Sequence, residues 1–198
     1  GGLVGEVVQI WKPKQLNTFE TEWGFSCMGY EISGALGIKM AKPKQDVVVF
    51  IGDGSYLLQN SDIYSSILYD KKLIIIVCDN GGHMVINRLQ LAKGGKEYLC
   101  NLRAAGATNM QFVDFEAHAK SMGANAETVK SVSDLEAAFK RAKKSKKTYV
   151  ICIETHGYEW LEGSAFWESP TLEVHSTNEN KTAYEDFVDG KKKQRKGV

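Results

Sequence analysis

The chain has 198 residues, with 25 Lys and Arg against 24 Asp and Glu, and a formal net charge of +1. This balance argues against general affinity for nucleic acid, which requires a pronounced basic surface. No apolar run approaches the roughly 18 residues needed to span a membrane, and no signal peptide is visible. We therefore expect neither nucleic acid nor a membrane among its partners.

The 4 cysteines show no C-x-x-C spacing, which gives no support to a zinc site or a disulfide scaffold. They are Cys27, Cys78, Cys100 and Cys152. This pattern suggests a reducing compartment, and we expect the protein to be cytoplasmic.

The first predicted element in chain order is an amphipathic helix. Its apolar face consists of Ile32, Ala35, Leu36 and Met40. Gly34 and Gly37 lie inside the same helix, where each glycine costs about 1 kcal/mol relative to alanine. We expect these glycines to allow close packing on a neighbour or a ligand.

Two apolar runs follow, at residues 47–51 and 73–78, and each predicts a buried strand. The sequence Gly-Asp-Gly-Ser (52–55) comes directly after the first run, and Asp-Asn-Gly-Gly (79–82) comes directly after the second. The roughly 24 residues between these motifs suffice for one crossover helix joining neighbouring parallel strands. Because ligands bind at the carboxyl ends of such strands, both motifs are expected to lie at one ligand-binding edge.

The rest of the chain continues the alternation of helices and strands. We predict a helix from Asp114 to Met122, stopped by Gly123, and then a short strand at 127–129. A capping box from Ser133 to Glu136 begins the next helix, which runs to about Lys144. The last predicted strand is at 148–153. This alternation predicts an α/β fold, a three-layer doubly wound parallel sheet with helices on both faces.

Two interpretations of the paired motifs are possible. Taken singly, each motif is an ordinary turn, because Gly, Asp and Asn are the usual turn residues. Taken together, at the ends of two strands, they supply one carboxylate, one amide and a glycine-rich backbone. These groups suit a hard cation and a phosphate better than a soft metal. The pairing favours the binding interpretation.

The pair resembles the diphosphate-binding signature of thiamine diphosphate enzymes, in which Gly-Asp-Gly is followed at this interval by Asn-Asn. Here Asp79 replaces the first Asn. The resemblance implies that Asp53, Asn80 and the carbonyl of Gly82 hold Mg²⁺ against the diphosphate of thiamine diphosphate. It also implies that the cofactor is contacted by Gly52, Asp53, Gly54, Ser55, Asn80 and Gly82.

A third segment, Cys27-Met28-Gly29-Tyr30, resembles a stretch found upstream of Gly-Asp-Gly in acetolactate-synthase-like members. The resemblance implies that the backbone around Cys27 and Met28 contacts the aminopyrimidine ring. The alternative for Met28 is a role as core filler.

The sequences at 22–32, 52–57 and 166–170 are similar to one branch of the superfamily, trihydroxycyclohexane-1,2-dione hydrolase of myo-inositol catabolism. This similarity implies hydrolysis of a C–C bond in a small cyclic 1,2-dione. His83, beside the implied metal ligands, is a candidate acid or base, although a solvent-facing loop histidine is an equal alternative.

Two other functions remain open. One is an acetolactate-synthase-like carboligase or decarboxylase acting on 2-oxo acids with the same cofactor. The other is a non-catalytic nucleotide- or phosphate-binding module. Against the second, the first strand is not followed by G-x-G-x-x-G, and the chain has no G-x-x-x-x-G-K-[ST].

The resemblance also implies an organisation larger than this chain. We expect residues 1–188 to be the diphosphate-binding domain of a larger enzyme and residues 189–198 to be a basic disordered tail. The glutamate that activates the cofactor is expected in a separate pyrimidine-binding domain, and the enzyme is expected to be at least a homodimer. Alone, the domain is expected to be inactive. The connection at 155–171 is expected to cover the site or to pack against the missing domain.

Overall fold

The computed structural model describes residues 2–22, 24–104, 106, 111–161 and 171–194. Within these ranges, four strands form one parallel sheet in the order β1-β2-β4-β3. The strands are β1 (Val48–Gly52), β2 (Ile74–Asp79), β3 (Asn125–Val129) and β4 (Tyr149–Glu154). The predicted parallel α/β architecture is confirmed.

Helices precede, connect and follow these strands in the described part of the chain. They are α1 (Gly2–Ile10), α2 (Tyr30–Ala41), α3 (Asp53–Leu58), α4 (Asp62–Leu68), α5 (Met84–Ala92), α6 (Phe115–Ser121), α7 (Val132–Lys144) and α8 (Asn178–Lys193).

The strands pack against helices on both faces of the sheet. Ile75 and Val150 join buried residues of α2, α4 and α6 in one apolar cluster. Their sequence neighbours Ile74 and Ile151 join Ala138 of α7 in a second cluster. Because successive strand residues point to opposite faces, the two clusters lie on opposite sides of the sheet. This explains the unbroken apolar runs and confirms the three predicted layers.

The register of the sheet brings the two glycine-rich motifs together. Gly52 of β1 pairs with Cys78 of β2, so the two strands end at the same level. Asp53 comes directly after Gly52, and Asp79 comes directly after Cys78. The two aspartates therefore lie at the ends of neighbouring strands, at the same level. Asp79 in turn pairs with Glu154 at the end of β4.

The crossover between β1 and β2 differs from the single helix that the sequence predicts. It contains two short helices, α3 and α4, separated at Gln59–Ser61. The side chain of Asn60 donates to the carbonyl of Tyr56 at 3.0 Å, at the end of α3. An asparagine that bonds to nearby backbone competes with helix continuation, which accounts for the break.

The predicted apolar face of α2 is only partly correct. Ile32, Ala35 and Leu36 are buried, but Met40 is 43% exposed. A Cβ atom added at Gly37 would meet nothing within 4 Å, so no described residue packs closely there. The expectation of close packing at Gly37 is therefore wrong within the described residues.

The cap of α7 also differs from the prediction. Ser131, not Ser133, is the N-cap, and its Oγ accepts the backbone N–H of Asp134 at 3.1 Å. Both serines are followed three residues later by an acidic residue, so both match the capping-box pattern. Strand β3 ends at Val129, and α7 begins soon enough to place the earlier serine at the cap.

Replacing Ser131 by alanine is expected to lower the free energy of unfolding by about 1 kcal/mol, because the N–H of Asp134 loses its partner. The measurement is chemical denaturation followed by circular dichroism. Ser133→Ala removes only a hydroxyl contact with Oγ of Ser131 at 2.9 Å and no bond to the backbone, so it is the matched control and should lower stability much less. An equal loss in both variants would contradict the assignment of the cap.

The last described element is helix α8, which continues to Lys193, so residues 189–193 of the expected tail are helical. The side chain of Asn180, near the start of α8, donates to the carbonyl of Lys93 at 3.1 Å and thereby joins this helix to the end of α5. Residues 195–198 and the central part of the 155–171 connection, 162–170, lie outside the described residues. Within the described ranges, no helix is long and apolar enough to cross a membrane.

Candidate functional site

The candidate site lies at the carboxyl edge of the sheet, where β1 and β2 end. Asp53 is the first residue of α3 and is only 2% exposed. Gly54 and Ser55 are also buried, in the first turn of the same helix. The site carboxylate is thus held by a strand on one side and a helix on the other.

Two polar groups, the side-chain amide of Asn80 and the carbonyl of Gly82, converge with the carboxylate of Asp53. One end of the Asn80 amide lies 3.1 Å from Oδ1 of Asp53 and 3.0 Å from the carbonyl oxygen of Gly82. With nitrogen at that end, the amide donates a hydrogen bond to each oxygen. With oxygen at that end, the amide oxygen faces the oxygens of Asp53 and Gly82, an arrangement that a cation bound between them would stabilise.

These separations fit a small, hard cation. Ligand oxygens at the roughly 2.1 Å that Mg²⁺ requires lie about 3.0 Å apart when they occupy adjacent octahedral corners. The donor set of one carboxylate, one amide and one carbonyl also matches the preference of Mg²⁺ for oxygen. Asp53, Asn80 and Gly82 can therefore hold this ion, leaving the other corners to phosphate oxygens or water.

The environment of Asp53 opposes its negative charge in the absence of a cation. Burial, together with the nearby charge of Asp79, raises the pKa of Asp53 to about 6. Hydrogen bonds from the backbone of Gly54, Asn80 and Gly82 act in the opposite direction but are weaker. A buried carboxylate that lacks a compensating charge is the state that a bound cation would stabilise.

The loop of residues 79–83, here the 79–83 loop, depends on two glycines with positive φ. Gly81 has a φ of 88° and Gly82 a φ of 139°. The loop forms two backbone hydrogen bonds with the segment at 100–102. The N–H of His83 donates to the carbonyl of Cys100 at 2.8 Å, and the N–H of Leu102 donates to the carbonyl of Gly81 at 2.9 Å. These bonds fix the orientation of the Gly82 carbonyl.

Gly82→Ala is expected to lower the free energy of unfolding by about 2–3 kcal/mol and to displace the Gly82 carbonyl. A Cβ at this position would lie 2.5 Å from the backbone oxygen of Cys100, which has no rotamer by which to move away. Thermal unfolding measures the loss. Gly37→Ala, where the added methyl meets nothing within 4 Å, is the control and should not destabilise the chain.

An ion-pair cluster that sequence patterns did not indicate supports the 79–83 loop. Asp79 accepts the N–H of Gly81 through Oδ1 at 2.9 Å. Arg103 lies 3.9 Å from Asp79 and 2.9 Å from Glu154, so it links the ends of β2 and β4. Asp79, which stands where the thiamine diphosphate signature has its first Asn, is thus paired with the positively charged side chain of Arg103. The charge of Asp79 is the only sequence signal for such a partner, and it does not specify Arg103.

His83 lies against the Gly-Asp-Gly turn. A Cβ added at Gly54 would be 2.6 Å from Nδ1 of His83 and 3.5 Å from the carbonyl oxygen of Gly82. The imidazole and the candidate metal ligands are therefore neighbours, and the absence of a side chain at Gly54 makes room for the ring. His83 is partly exposed and directly precedes α5.

The loop of residues 24–29, here the 24–29 loop, approaches the same edge. Its last residue, Gly29, packs so tightly that an added Cβ would lie 2.4 Å from Cβ of Gln59 and 3.3 Å from the carbonyl of Ser55. Cys27 is exposed and Met28 is 36% exposed, so Met28 is not core filler here. The structure thus brings the third sequence segment next to α3.

Other kinds of metal centre are not found in the described residues, where no group of three or more His, Cys, Asp or Glu is placed to hold an ion.

Comparison with known proteins identifies similar domains. The family described as "Thiamine pyrophosphate enzyme, C-terminal TPP binding domain" matches residues 1–153. The 3D-(3,5/4)-trihydroxycyclohexane-1,2-dione hydrolase of Halalkalibacterium halodurans is 36% identical over 93% of this chain and 29% of its own length. The protein of that name from Listeria monocytogenes is 38% identical over 94% of this chain and 29% of its own length. The chain thus spans less than a third of the length of these relatives.

A solved structure shares the fold. The thiamine diphosphate-dependent 4-hydroxybenzoylformate decarboxylase of Rhodococcus jostii RHA1 superposes with a TM-score of 0.54 at 22% identity, over 69% of this chain and 24% of that chain. At this identity the similarity concerns architecture alone.

Proposed function

Since the chain belongs to the thiamine pyrophosphate enzymes, as their C-terminal TPP binding domain, we propose that it binds the diphosphate of thiamine diphosphate through Mg²⁺. The proposed metal ligands are Oδ1 of Asp53, the amide oxygen of Asn80 and the carbonyl of Gly82. The observation that carries this proposal is the convergence of these three groups, at 3.0 and 3.1 Å, around a buried carboxylate.

The remaining contacts of the cofactor come from the same edge of the sheet. The glycines of the 52–55 turn allow backbone N–H groups to approach the diphosphate. Cys27 and Met28 present their backbone to the pyrimidine ring, and Ser55 lies next to Gly29 at the end of the same loop, its carbonyl 3.3 Å from the position of a Cβ added there. Bound thiamine diphosphate supplies a nucleophilic carbon and an electron sink for breaking a C–C bond. The chain itself binds and orients the cofactor, and His83 is the candidate for moving a proton to or from the substrate.

We propose further that the complete enzyme hydrolyses a C–C bond in a trihydroxycyclohexane-1,2-dione, as a step of myo-inositol catabolism in the cytoplasm. The support is the identity of 36–38% over more than 90% of the chain with relatives that carry this name. The substrate carbonyl next to the cofactor and the water that completes the hydrolysis must both reach the carboxyl edge of the sheet.

The activity needs parts beyond this chain. We propose that a pyrimidine-binding domain completes the site with the activating glutamate, in an assembly that is at least a homodimer. Exposed apolar side chains near the start of the chain support a further packing partner: Ile10 is 60% exposed, Leu16 93% and Phe25 92%. Such side chains are typical of surfaces that a second domain covers.

The test is ring opening of the dione by the assembled enzyme, followed as acid released in the presence of thiamine diphosphate and Mg²⁺. Hydrolysis of the dione without turnover of pyruvate supports the proposal. Turnover of pyruvate, with no reaction of the dione, would favour a carboligase or decarboxylase and contradict the proposed substrate.

His83→Gln should lower kcat while leaving cofactor binding intact.

A further inference from the structure

The conformation of the 24–29 loop depends on one carboxylate. Oε1 of Glu22 accepts the backbone N–H of Phe25 at 2.8 Å, and Oε2 accepts that of Cys27 at 3.1 Å. These backbone bonds lower the pKa of Glu22, so the side chain is ionised at neutral pH. One side chain thus holds alternate N–H groups of the loop.

A second carboxylate holds the other end of the same loop. Oε2 of Glu31, in the first turn of α2, accepts the N–H of Gly29 at 2.9 Å. Gly29 has a φ of 92° and lies against Gln59 and the carbonyl of Ser55. The loop is therefore anchored to the helix that begins with Asp53, and a change in its shape moves the pyrimidine contacts relative to the diphosphate site.

Burial does not explain the shape of the loop. Residues 24–28 are all exposed, including Phe25 at 92%. Ser26 has a φ of 51°, a left-handed conformation that residues with a Cβ adopt at some cost. A loop without buried side chains and with a strained residue needs specific hydrogen bonds to stay in one conformation, and Glu22 provides two of them.

We propose that Glu22 is a positioning residue that shapes the 24–29 loop for the pyrimidine ring of thiamine diphosphate. The inference rests on the proposed function, because it assigns the backbone of Cys27 and Met28 to that ring. Glu22 acts through the backbone of the loop: it holds the N–H groups of Phe25 and Cys27, so that the loop keeps one conformation before the cofactor arrives. A preformed loop binds the ring with less loss of entropy.

The substitution Glu22→Gln removes half of this arrangement without changing the size of the side chain. The amide oxygen of glutamine can accept one N–H, but its NH₂ group faces the second N–H and cannot accept it. Glu22→Ala removes both bonds. Glu20→Gln is the matched control, because Glu20 is an exposed glutamate two residues earlier.

The experiment compares two ligands by calorimetry on the assembled enzyme with Mg²⁺: thiamine diphosphate and inorganic pyrophosphate, which lacks the pyrimidine. We expect Glu22→Gln to raise the Kd of thiamine diphosphate about tenfold and Glu22→Ala to raise it further. The Kd of pyrophosphate and the thermal midpoint should stay the same, as should every value for Glu20→Gln. This split separates positioning of the loop from a general loss of structure.

Equal weakening of both ligands, or no change in either, would overturn the role of Glu22. If the unsubstituted enzyme bound neither ligand, the proposed function itself would be wrong. Glu31→Gln alters the bond to the N–H of Gly29. Like Glu22→Gln, it should raise the Kd of thiamine diphosphate and leave the Kd of pyrophosphate unchanged.

Discussion

Replacing Asp53 by alanine is expected to weaken Mg²⁺-dependent binding of thiamine diphosphate by at least about 100-fold, because even residues that only orient metal ligands contribute 10–100-fold to affinity. Asp53 is the sole carboxylate among the three converging oxygens, and the other two are neutral. The measurement is equilibrium dialysis with the assembled enzyme, at fixed Mg²⁺, over a range of cofactor concentrations.

The control for this substitution is Asp62→Ala. Asp62 lies at the start of α4, outside the converging groups, and its removal should leave the Kd of the cofactor unchanged. If Asp53→Ala bound the cofactor as tightly as Asp62→Ala does, the diphosphate would not be held through a metal on Asp53.

Asp53 is also expected to make the cation-free protein less stable as the pH rises. Folding raises its pKa from 3.8 to about 6, so the folded state favours the protonated form. The stability that protonation provides is complete below about pH 4 and is lost as the pH rises through about 6, a difference of up to about 3 kcal/mol. Asp53→Asn removes this dependence, because the amide is neutral throughout.

We therefore expect Asp53→Asn to be more stable than the unsubstituted chain at pH 7.5 in EDTA. Urea denaturation at several pH values measures this difference. The same substitution should abolish cofactor binding. Asp62→Asn should keep the original pH dependence. Parallel stability curves for the unsubstituted chain and Asp53→Asn between about pH 4 and 7 would contradict a buried, uncompensated carboxylate.

Much of the sheet could be predicted because its strands are apolar runs, and the central strands β2 and β4 are largely buried. The runs at 47–51 and 73–78 are apolar throughout, and β1 and β2 overlap them, each beginning and ending one residue later. Shorter elements were harder to predict. Asn60 interrupts the crossover helix without a Gly or Pro, through a side-chain bond to the backbone that only the folded turn reveals. Ser131 and Ser133 match the same capping pattern, and the end of β3 decides between them.

The candidate site could be predicted where its residues follow strands, and not where they come from long connections. Gly52 and Cys78 are paired in the sheet, so Asp53 and the 79–83 loop had to meet at one edge. Arg103 and the Cys100–Leu102 segment reach the same edge from a connection without periodicity. The role of Glu22 depends on the conformation of an exposed loop, for which the sequence has no pattern. These supporting contacts are tertiary, and only the folded structure reveals them.

Calorimetric titration of thiamine diphosphate into the assembled enzyme, first with Mg²⁺ and then with EDTA, tests the central claim most directly. The account predicts binding that requires Mg²⁺ and disappears in EDTA. ATP and NAD, titrated under the same conditions, should give no heat. Binding of ATP or NAD without binding of thiamine diphosphate would contradict the account and identify a nucleotide-binding module.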